Sequence, residues 1–431
     1  MSDRIPPGQT GSNYNHQILG TDENGYVRKV RVDSNGEMVV DAFRDKNGLE
    51  NFNAIFGEKY VAHRKPVISA NFNYATDMRK TIITQLNGAT VDRETTLLTL
   101  NSGTSTDGES SIQSKESLRY QAGRDSECMF TCRFDPPVEG NTRRIGLFDE
   151  ISGMNVGYEE LEFGVSIRKA GVNTFIPQSE WNHDKCDGTG ESGFNWDFSK
   201  LNIVRIFYGY LGIAPIFFQV YGGIENGWIT FEVYDIANKS ESTHIDIPYL
   251  PLRASNKNHG NTTNVKIQSG SIYCGTVDGG GGYDSSSREF SRKLSLVAVT
   301  AGTDKPMLTF HNKPTYQGVI NRIDDRLLRV ALSTDGTKVV NISLYKISEP
   351  TSATWTDVDT LNSNMRVSTD AVVSLVGGEL LMSWTLGKTD SVNDDVHDLN
   401  LLLFPNEYAV FTYTSTGSSD LNFANRWSEL F

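Results

Sequence analysis

The sequence predicts an all-β protein: an antiparallel β-sandwich or jelly roll, with a second, smaller β-rich unit and a short N-terminal hairpin segment. Three observations lead to this fold class. Apolar and polar residues alternate with a period of two, β-branched and aromatic residues concentrate in short runs, and Gly- and Asn-containing turns separate these runs at near-regular spacing. Many short strands without intervening helices are typical of sandwiches and jelly rolls.

The first predicted element is a β-hairpin near the N-terminus. Residues Val27–Val32 and 37–40 alternate as strands do, and Asp33-Ser34-Asn35-Gly36 between them is a turn sequence. Because an isolated two-stranded hairpin is marginally stable in water, we expect this segment to need a partner for order. The stretch 8–15, with its glycines and asparagines, is predicted to be a flexible leader.

Many short strands are predicted to follow. Turn clusters such as Gly222-Gly223 and Asn226-Gly227 separate them. The predicted strands are 203–210, Ile216–Tyr221, Trp228–Tyr234 and 265–273, then 294–299, 327–332, 339–344, 372–375 and 380–384. The last two flank a predicted two-residue loop, Gly377-Gly378. The polar stretch 101–111 is predicted to be a surface loop, or a joint at the entry to the main sandwich.

These elements divide into three predicted domains. A length of 431 residues corresponds to two or three domains at about 150 residues each. Four consecutive glycines at 279–282 favour a hinge or boundary there, because they maximise backbone freedom. We predict an N-terminal attachment segment with the hairpin at 1–60, a main β-sandwich at 61–300 and a C-terminal β-rich domain at 301–431.

Charge and hydropathy narrow the classes of partner. The chain has 40 Lys and Arg against 53 Asp and Glu, a formal net charge of −13, and no large basic block. Nucleic-acid binding depends on clustered basic side chains that neutralise phosphates, so we expect no nucleic-acid partner. The apolar stretches fall far below the roughly 18 residues that span a bilayer, and the N-terminus lacks the pattern of an export signal. We therefore expect no membrane partner.

The chain has four cysteines, Cys128, Cys132, Cys186 and Cys274. Four are too few for a disulfide scaffold in a chain of this length, and no Cys-x-x-Cys occurs. In a strand, Cys128 and Cys132 would project to one face together with Phe130 and Phe134. The spacing of the four matches no usual zinc pattern. We predict buried structural thiols.

The first candidate for catalysis is the pair Glu160 and Glu162. A glycoside hydrolase needs two carboxylates that flank a sugar, and alternate positions of a strand would place both on one face. The continuation Phe163-Gly164-Val165 adds no further carboxylate to that strip. We favour a solvated edge of the sheet over a catalytic pair.

The second candidate is the loop from Trp181 to Asp197, for which three interpretations are open. Its carboxylates, amides and glycines could hold Ca²⁺, and Trp181 and Trp196 could stack on sugar rings. Alternatively, the loop is a structural Asx-turn segment pinned by its tryptophans. It lacks the acid pattern of an EF-hand, so we favour the structural interpretation and leave metal binding open. On that interpretation Trp181 matters far more for stability than Asp184 or Asp187.

The remaining patterns indicate no catalytic or cofactor site. The glycine run after Asp278 lacks the residues of a phosphate-binding loop, and the acidic run 390–398 around His397 is typical of a solvated tip. The chain has no Gly-x-Ser-x-Gly, and its histidines are scattered without a partner motif. We therefore predict a protein that is not an enzyme and has no cofactor.

From residue 115 onward the chain carries short blocks in a fixed order. They are 117–124, Arg144-Ile145-Gly146-Leu147-Phe148-Asp149-Glu150, Gln178-Ser179-Glu180-Trp181-Asn182, Asp184-Lys185, Asp187-Gly188-Thr189-Gly190, Ser192-Gly193, Asp197, Tyr210-Leu211-Gly212, Leu250-Pro251-Leu252-Arg253, Cys274, Gly281-Gly282-Tyr283, Ala353-Thr354-Trp355, Gly377-Gly378-Glu379-Leu380 and Arg426-Trp427-Ser428-Glu429. The series resembles the virion structural proteins of tailed bacteriophages, particularly marine ones, over residues 115–431. Tyr210 stands where that family usually has tryptophan, and His183 and Cys186 depart from its pattern.

The resemblance implies a non-enzymatic virion component, in the tail, baseplate, fibre or a head appendage. Such a protein is assembled in the host cytoplasm through contacts with other virion structural proteins and with copies of itself, as a homo-oligomer. The family brings no catalytic residues. The hairpin region 25–40 is similar to short modules by which phage appendage proteins dock. The alternative is a glycan-binding or glycan-depolymerising β-sandwich protein of a phage appendage, with a host-surface glycan as its partner.

Deleting residues 1–45 tests the predicted attachment segment. We expect the truncated protein to keep its far-UV circular dichroism spectrum and its melting temperature, because the segment cannot bury enough apolar surface to order itself. We also expect incorporation into phage particles to be lost. Normal incorporation of the truncated protein, measured in purified particles, would refute an attachment role.

Overall fold

The computed structural model describes residues 18–21, 27–32, 38–39, 63–74, 76–121, 123–224, 226–278 and 287–431. The predicted all-β, antiparallel fold class is confirmed. The helical elements within these ranges are two single 3₁₀ turns, Gln178–Glu180 and His397–Leu399. The predicted leader 8–15 and the glycine run 279–282 lie outside the described residues.

Across the described ranges, no helix combines the length and the apolar character that crossing a membrane requires.

The predicted N-terminal hairpin is confirmed at the level of strand pairing. The strands here are β1 (Ile18–Thr21), β2 (Val27–Val32) and β3 (Met38–Val39). Arg31 pairs with Val39 and Val32 pairs with Met38, both antiparallel. Strand β1 pairs with the other side of β2, so the segment forms a three-stranded sheet rather than a simple hairpin.

The next strands form the first sandwich. They are β4 (His63–Asn71), β5 (Thr81–Leu86), β6 (Thr90–Glu94), β7 (Leu97–Asn101), β8 (Glu109–Leu118), β9 (Asp125–Phe134), β10 (Asn141–Phe148), β11 (Gly153–Glu159), β12 (Glu162–Lys169), β13 (Val172–Pro177), β14 (Asn202–Tyr208), β15 (Ile216–Tyr221), β16 (Trp228–Tyr234), β17 (Leu250–Asn258), β18 (Lys266–Ser269) and β19 (Ser271–Asp278). One sheet has the order β13-β12-β11-β10-β17-β8-β5. The other has the order β16-β15-β14-β9-β18-β7-β6, with β19 beside β9 and β4 beside β19.

The core of the first sandwich follows from strand alternation. Ile145 and Leu147 on β10 of one sheet and Val204 and Ile206 on β14 of the other are all fully buried in one hydrophobic cluster. Because successive side chains of a strand point to opposite faces, the residues between them lie on the outer faces. Sheets that each bury one row of side chains in this way form a sandwich.

The stretch 265–273, predicted as one strand, is two. Strands β18 and β19 both pair with β9, but the register changes between them. Gly270 lies at this break, and the N–H groups of Gly270 and Ser271 donate to Oγ1 of Thr131 at 2.6 and 3.0 Å. A β-bulge therefore divides the predicted strand.

The predicted loop 101–111 is also shorter than expected, because β8 already begins at Glu109.

The remaining strands form the second sandwich. They are β20 (Ser287–Val299), β21 (Gly302–Asn312), β22 (Thr315–Tyr316), β23 (Val319–Ile320), β24 (Asp324–Gly336), β25 (Val340–Ile347), β26 (Thr356–Asp357), β27 (Met365–Ser368), β28 (Glu379–Leu386), β29 (Ser391–Asp395), β30 (Leu402–Leu403), β31 (Tyr408–Ser415) and β32 (Ser419–Leu430). One sheet has the order β20-β32-β24-β29, with β30 on β24, and the other has the order β26-β27-β21-β31-β25-β28. Strands β22 and β23 pair separately.

One predicted strand of this region is wrong. Residues 372–375 form no strand, and Val372 makes a single isolated bridge to Ser352. The side chain of Val372 is 56% exposed, so no buried face holds it in a sheet.

Strand β20 lies before the predicted domain boundary at residue 300, yet it pairs along its length with β32. The boundary itself stays a prediction about folding units.

Charged side chains connect the two sandwiches. Arg322 pairs with Asp149, and its Nη1 donates to the carbonyl oxygen of Tyr249 at 2.7 Å. Lys115 pairs with Glu407 at 2.9 Å. Such pairs fix the relative position of two surfaces, because each buried charge needs its partner. A cavity of about 450 Å³ lies between the sandwiches beside these pairs.

Asp324 on β24 is a buried acid at this contact. It is 1% exposed, and neither carboxyl oxygen has a hydrogen-bond partner. Burial raises its pKa to about 8; Arg119 opposes the rise, and Glu116 and Glu407 add to it. The carboxyl group is therefore mostly protonated in the folded protein at neutral pH, whereas in the unfolded chain it would be ionised.

This acid gives stability a defined pH dependence. Between about pH 4 and pH 8 the folded state holds a proton that the unfolded state releases, so the free energy of unfolding falls as pH rises. The slope from one such group is at most about 1.4 kcal/mol per pH unit. We expect urea denaturation of the wild type to show higher stability at pH 5 than at pH 8, and Asp324→Asn to reduce this difference. Asp187→Asn, at an exposed position, is the matched control; equal pH slopes for Asp324→Asn and wild type would contradict the assignment.

Candidate functional site

The loop from Trp181 to Asp197 is held in place by buried aromatic rings. Trp181 is 3% exposed and packs against Phe231 with 4.3 Å between ring centres. Trp196 is 4% exposed, and its ring centre lies 5.4 Å from that of Phe163. Both tryptophans belong to the core of the first sandwich, so the interpretation that they stack on sugar rings is wrong.

The acids of this loop are occupied by its own backbone. The Asp184 carboxylate accepts the N–H groups of Cys186 and Ser192 at 2.8 and 2.9 Å. Asp187 accepts the N–H and the hydroxyl of Thr189, and this hydroxyl is the main reason that the pKa of Asp187 is lowered. The bonds from Cys186 and Thr189, each two residues after its acid, are those of Asx turns, whereas the bond from Ser192 closes the loop on Asp184. Within the described ranges, no group of three or more His, Cys, Asp or Glu side chains is placed to hold a metal ion.

Asp184 differs from the expectation for the loop acids. It is only 6% exposed, and Gly190 lies directly against it: a Cβ at that position would stand 2.2 Å from Asp184 Oδ1. Any side chain at Gly190 would displace the carboxylate from its two backbone donors. Asp184 is therefore a buried structural acid, whereas Asp187 is exposed.

The other acidic candidates lie apart from a concave site. Glu160 and Leu161 form the hairpin turn between β11 and β12, and Glu160 has a φ of 55°. The prediction of a strand through Glu160 and Glu162 is therefore wrong, although both side chains are exposed as expected. In the run 390–398, His397 is exposed and contacts Asp398 at 3.3 Å.

The prediction that the four cysteines are buried is confirmed. All four thiols are buried, and Cys128 and Cys132 share the inward face of β9 with Phe130 and Phe134. Burial raises the pKa of Cys132, which keeps that thiol protonated.

Sequence reasoning missed a polar-aromatic patch on the outer face of the nine-stranded sheet. We use this name for Arg205 on β14, Gln219 and Tyr221 on β15, and Trp228 and Thr230 on β16. Register brings them together, because Arg205 pairs with Gln219, Gln219 with Thr230, and Tyr221 with Trp228. Their inward neighbours are fully buried, so alternation directs these five side chains to the outer face, where Gln219 and Thr230 are nevertheless buried. The available signal was the polar or aromatic residue at every second position of three predicted strands.

The patch has a fixed internal geometry. Nε of Arg205 donates to Oε1 of Gln219 at 2.7 Å, and Nε2 of Gln219 donates to Oγ1 of Thr230 at 2.9 Å. The Arg205 guanidinium lies over the Trp228 ring at 4.5 Å, and the Tyr221 and Trp228 rings meet edge to face at 5.6 Å. Tyr221 and Trp228 are partly exposed. The patch therefore offers the partly exposed rings of Tyr221 and Trp228 beside the Arg205 guanidinium, which the buried Gln219 holds in place. This combination suits a ligand with an apolar face and polar groups around it.

A buried acid pair in the second sandwich was also missed. Asp325 on β24 lies directly opposite Glu429 on β32, and both are buried. Burial raises the pKa of both carboxyls, and the charge of Glu429 raises that of Asp325 further. Asn364 donates to the Asp325 carboxyl and Ser363 to that of Glu429. These hydrogen bonds make the pair part of the core of the second sandwich.

Comparisons with known proteins bear on the fold alone. No protein-family model matches the chain, and no curated protein matches it. Among solved structures it is similar to the cellulose-induced protein Cip1 (12% identity, TM-score 0.32, 48% of this chain and 96% of that chain). It is also similar to a structure from work on human gut microbiota that express endo-acting O-glycanases to initiate mucin breakdown (13%, 0.32, 50% and 100%) and to the Emp46p carbohydrate recognition domain in its potassium-bound form (9%, 0.31, 48% and 94%).

Substitutions in the loop from Trp181 to Asp197 separate its structural role from metal binding. Trp181→Ala should lower the free energy of unfolding by about 3 to 5 kcal/mol, because it removes a buried large aromatic ring. Asp184→Ala should cost about 1 to 3 kcal/mol, since two backbone N–H groups lose their acceptor. Asp187→Ala, at an exposed turn, is the mild control.

Thermal melts with and without EDTA test whether the loop from Trp181 to Asp197 binds a metal ion. We expect identical wild-type melting temperatures in both conditions. A chelator-dependent loss of stability in the wild type that is absent from Asp187→Ala would instead identify the loop as a metal site.

Proposed function

We propose that this chain is a glycan-binding β-sandwich protein of a tailed-phage appendage, and that it binds glycan through the polar-aromatic patch without cleaving it. The observation that carries the proposal is the position of Trp228 and Tyr221 beside the hydrogen-bonded row of Arg205, Gln219 and Thr230. A pyranose ring has an apolar C–H face and a rim of hydroxyls. The ring surface of Trp228 or Tyr221 fits the first, and the Arg205 guanidinium, oriented by the buried Gln219 and Thr230, fits the second.

The rigidity of the patch supports binding. The side chains project from the interior strands β14 and β15 and from the edge strand β16 of one sheet, and Arg205, Gln219 and Thr230 already hold hydrogen bonds. Groups that are ordered before the ligand arrives lose little conformational entropy on binding. This smaller entropy loss matters most for a ligand that is bound weakly, such as a hydroxyl-rich surface glycan.

The assignment to a phage virion rests on the sequence blocks between residues 115 and 431. We propose the virion as the site of action on that resemblance, with other virion proteins and further copies of this chain as partners. A purely structural virion component is the second candidate function. It is favoured by the ion pair of Arg322 with Asp149, which places one of the blocks at the contact between the two sandwiches.

A non-catalytic role is supported by where the candidate carboxylates lie. Glu160 lies in an exposed hairpin turn and Glu162 follows it, Asp184 is held by two backbone donors, and Asp325 and Glu429 are buried and hydrogen-bonded. A glycoside hydrolase instead needs two carboxyls that face a sugar from opposite sides. The depolymerising alternative differs in one measurable property, the release of reducing ends.

Glycan-array binding followed by calorimetry tests the proposal. We expect the full chain to bind host-surface glycans, and Trp228→Ala and Gln219→Ala each to weaken Kd by about tenfold or more, equivalent to about 1.4 kcal/mol. Tyr74→Ala, at a tyrosine that is 90% exposed outside the patch, is the matched control and should bind normally.

Folding of each variant is checked by far-UV circular dichroism and thermal melting. Normal binding by folded Trp228→Ala and Gln219→Ala variants would refute the patch as the binding site. Reducing ends released from a bound polysaccharide would replace the binding role with the depolymerising one. Immunogold labelling of phage particles tests the virion assignment separately.

A further inference from the structure

Two of the four cysteines contact each other across neighbouring strands. Cys128 on β9 and Cys274 on β19 are direct antiparallel partners. The Cys274 thiol donates to Sγ of Cys128 at 2.7 Å. Both side chains are fully buried. All four cysteines lie in the described part of the chain, and this is the pair whose sulfur atoms are in contact.

The backbone holds this pair in a geometry that a disulfide can adopt. Directly opposed residues of an antiparallel pair have Cα atoms about 4.5 to 5.5 Å apart, within the range of about 4.4 to 6.8 Å seen for disulfides. The ladder continues on both sides, from Ile272 opposite Phe130 to Gly275 opposite Glu127. Because a disulfide has S–S of about 2.05 Å, the sulfurs at 2.7 Å need to approach by only roughly 0.7 Å.

We propose that Cys128 and Cys274 form a cross-strand disulfide by exchange with a small-molecule disulfide such as oxidised glutathione, when the chain folds or transiently opens in an oxidising environment. In the first step the thiolate of one cysteine attacks a glutathione sulfur, forms a mixed disulfide and expels one glutathione thiolate. In the second step the other cysteine's thiolate attacks the protein sulfur and expels the second glutathione. Two protein thiols are oxidised and one glutathione disulfide is reduced to two glutathione molecules.

Burial determines when this exchange can occur. Burial raises the pKa of Cys274 well above its ordinary value, and the neighbouring Cys128 raises it further, so the thiolate is scarce in the closed sandwich. Exchange is therefore slow in the folded protein and fast while β19 is still open. Among the described strands, β4 pairs with β19 and no other, so a bond from β19 to the interior strand β9 also secures β4.

The bond would close a loop of 146 residues, which restricts the unfolded chain strongly. We expect the oxidised protein to melt roughly 5 °C or more above the reduced protein. We also expect hydrogen exchange to slow in β4 and β19 relative to the second sandwich, because the bond opposes separation of these strands from β9.

The test uses the full chain, refolded once in a mixture of oxidised and reduced glutathione and once in dithiothreitol. After denaturation and alkylation with N-ethylmaleimide, intact mass should show two of the four thiols protected in the oxidised sample, and none in the reduced sample. Peptide mapping should find the fragment with Cys128 joined to the fragment with Cys274. Alkylation of all four thiols after oxidising refolding, or a bond between any other pair, would overturn the proposal.

Variants with matched burial complete the experiment. Cys128→Ala and Cys274→Ala should each abolish the protected pair and the oxidation-dependent rise in melting temperature. Cys132→Ala removes an equally buried thiol from the same strand and should retain both. If either variant of the pair fails to fold, the wild-type peptide map still decides, because it requires no substitution.

Discussion

The register of strand β9 determines how the first sandwich is organised. This strand hydrogen-bonds to β14 on one side and to β18 and β19 on the other. Its inward row is Cys128, Phe130, Cys132 and Phe134, and all four are buried in the core. A slip of one residue would move this row to the outer face and carry the outward row into the core, which the apolar requirement of the core forbids. The same register places Arg205 opposite Met129 and Cys274 opposite Cys128.

A buried acid on the outward row of β9 connects the register of this strand to the polar-aromatic patch. Glu127 of β9 has no exposed side-chain area, so its charge needs cationic partners. Arg64 of β4 contacts it at 2.5 Å and Arg205 of β14 at 4.0 Å. Arg205 also contacts Gln219 and Trp228, so one guanidinium links the buried acid to the polar-aromatic patch. The orientation of the patch therefore depends on an ion pair placed by the central strand.

Local sequence could predict strands far better than it could predict sites. Strands Ile216–Tyr221 and Trp228–Tyr234 follow directly from alternation between turn glycines, and the structure has the same bounds. The turn at Glu160 was missed because no glycine or asparagine marks it, and 372–375 was overpredicted because Val372 stays exposed and makes only one isolated bridge. The polar-aromatic patch draws on three strands, and a register shift between Phe218 and Gln219 brings Thr230 to the outer face. Pairing of that kind is a property of the assembled sheet, so no single segment contains it.

The sequence blocks on which the virion proposal rests and the proposed ligand surface are separate parts of the fold. On the outer face of the seven-stranded sheet the guanidinium groups of Arg168 and Arg253 lie 6.0 and 5.6 Å from the ring centre of Phe148. The next residue, Asp149, pairs with Arg322 of the second sandwich. The blocks 144–150 and 250–253 thus shape the sheet and its contact with the second sandwich, and none of the blocks contains a residue of the polar-aromatic patch. Because a scaffold can be kept while its binding surface changes, the resemblance bears on architecture and only a binding measurement bears on the ligand. The virion proposal and the glycan-binding proposal can therefore each fail without the other.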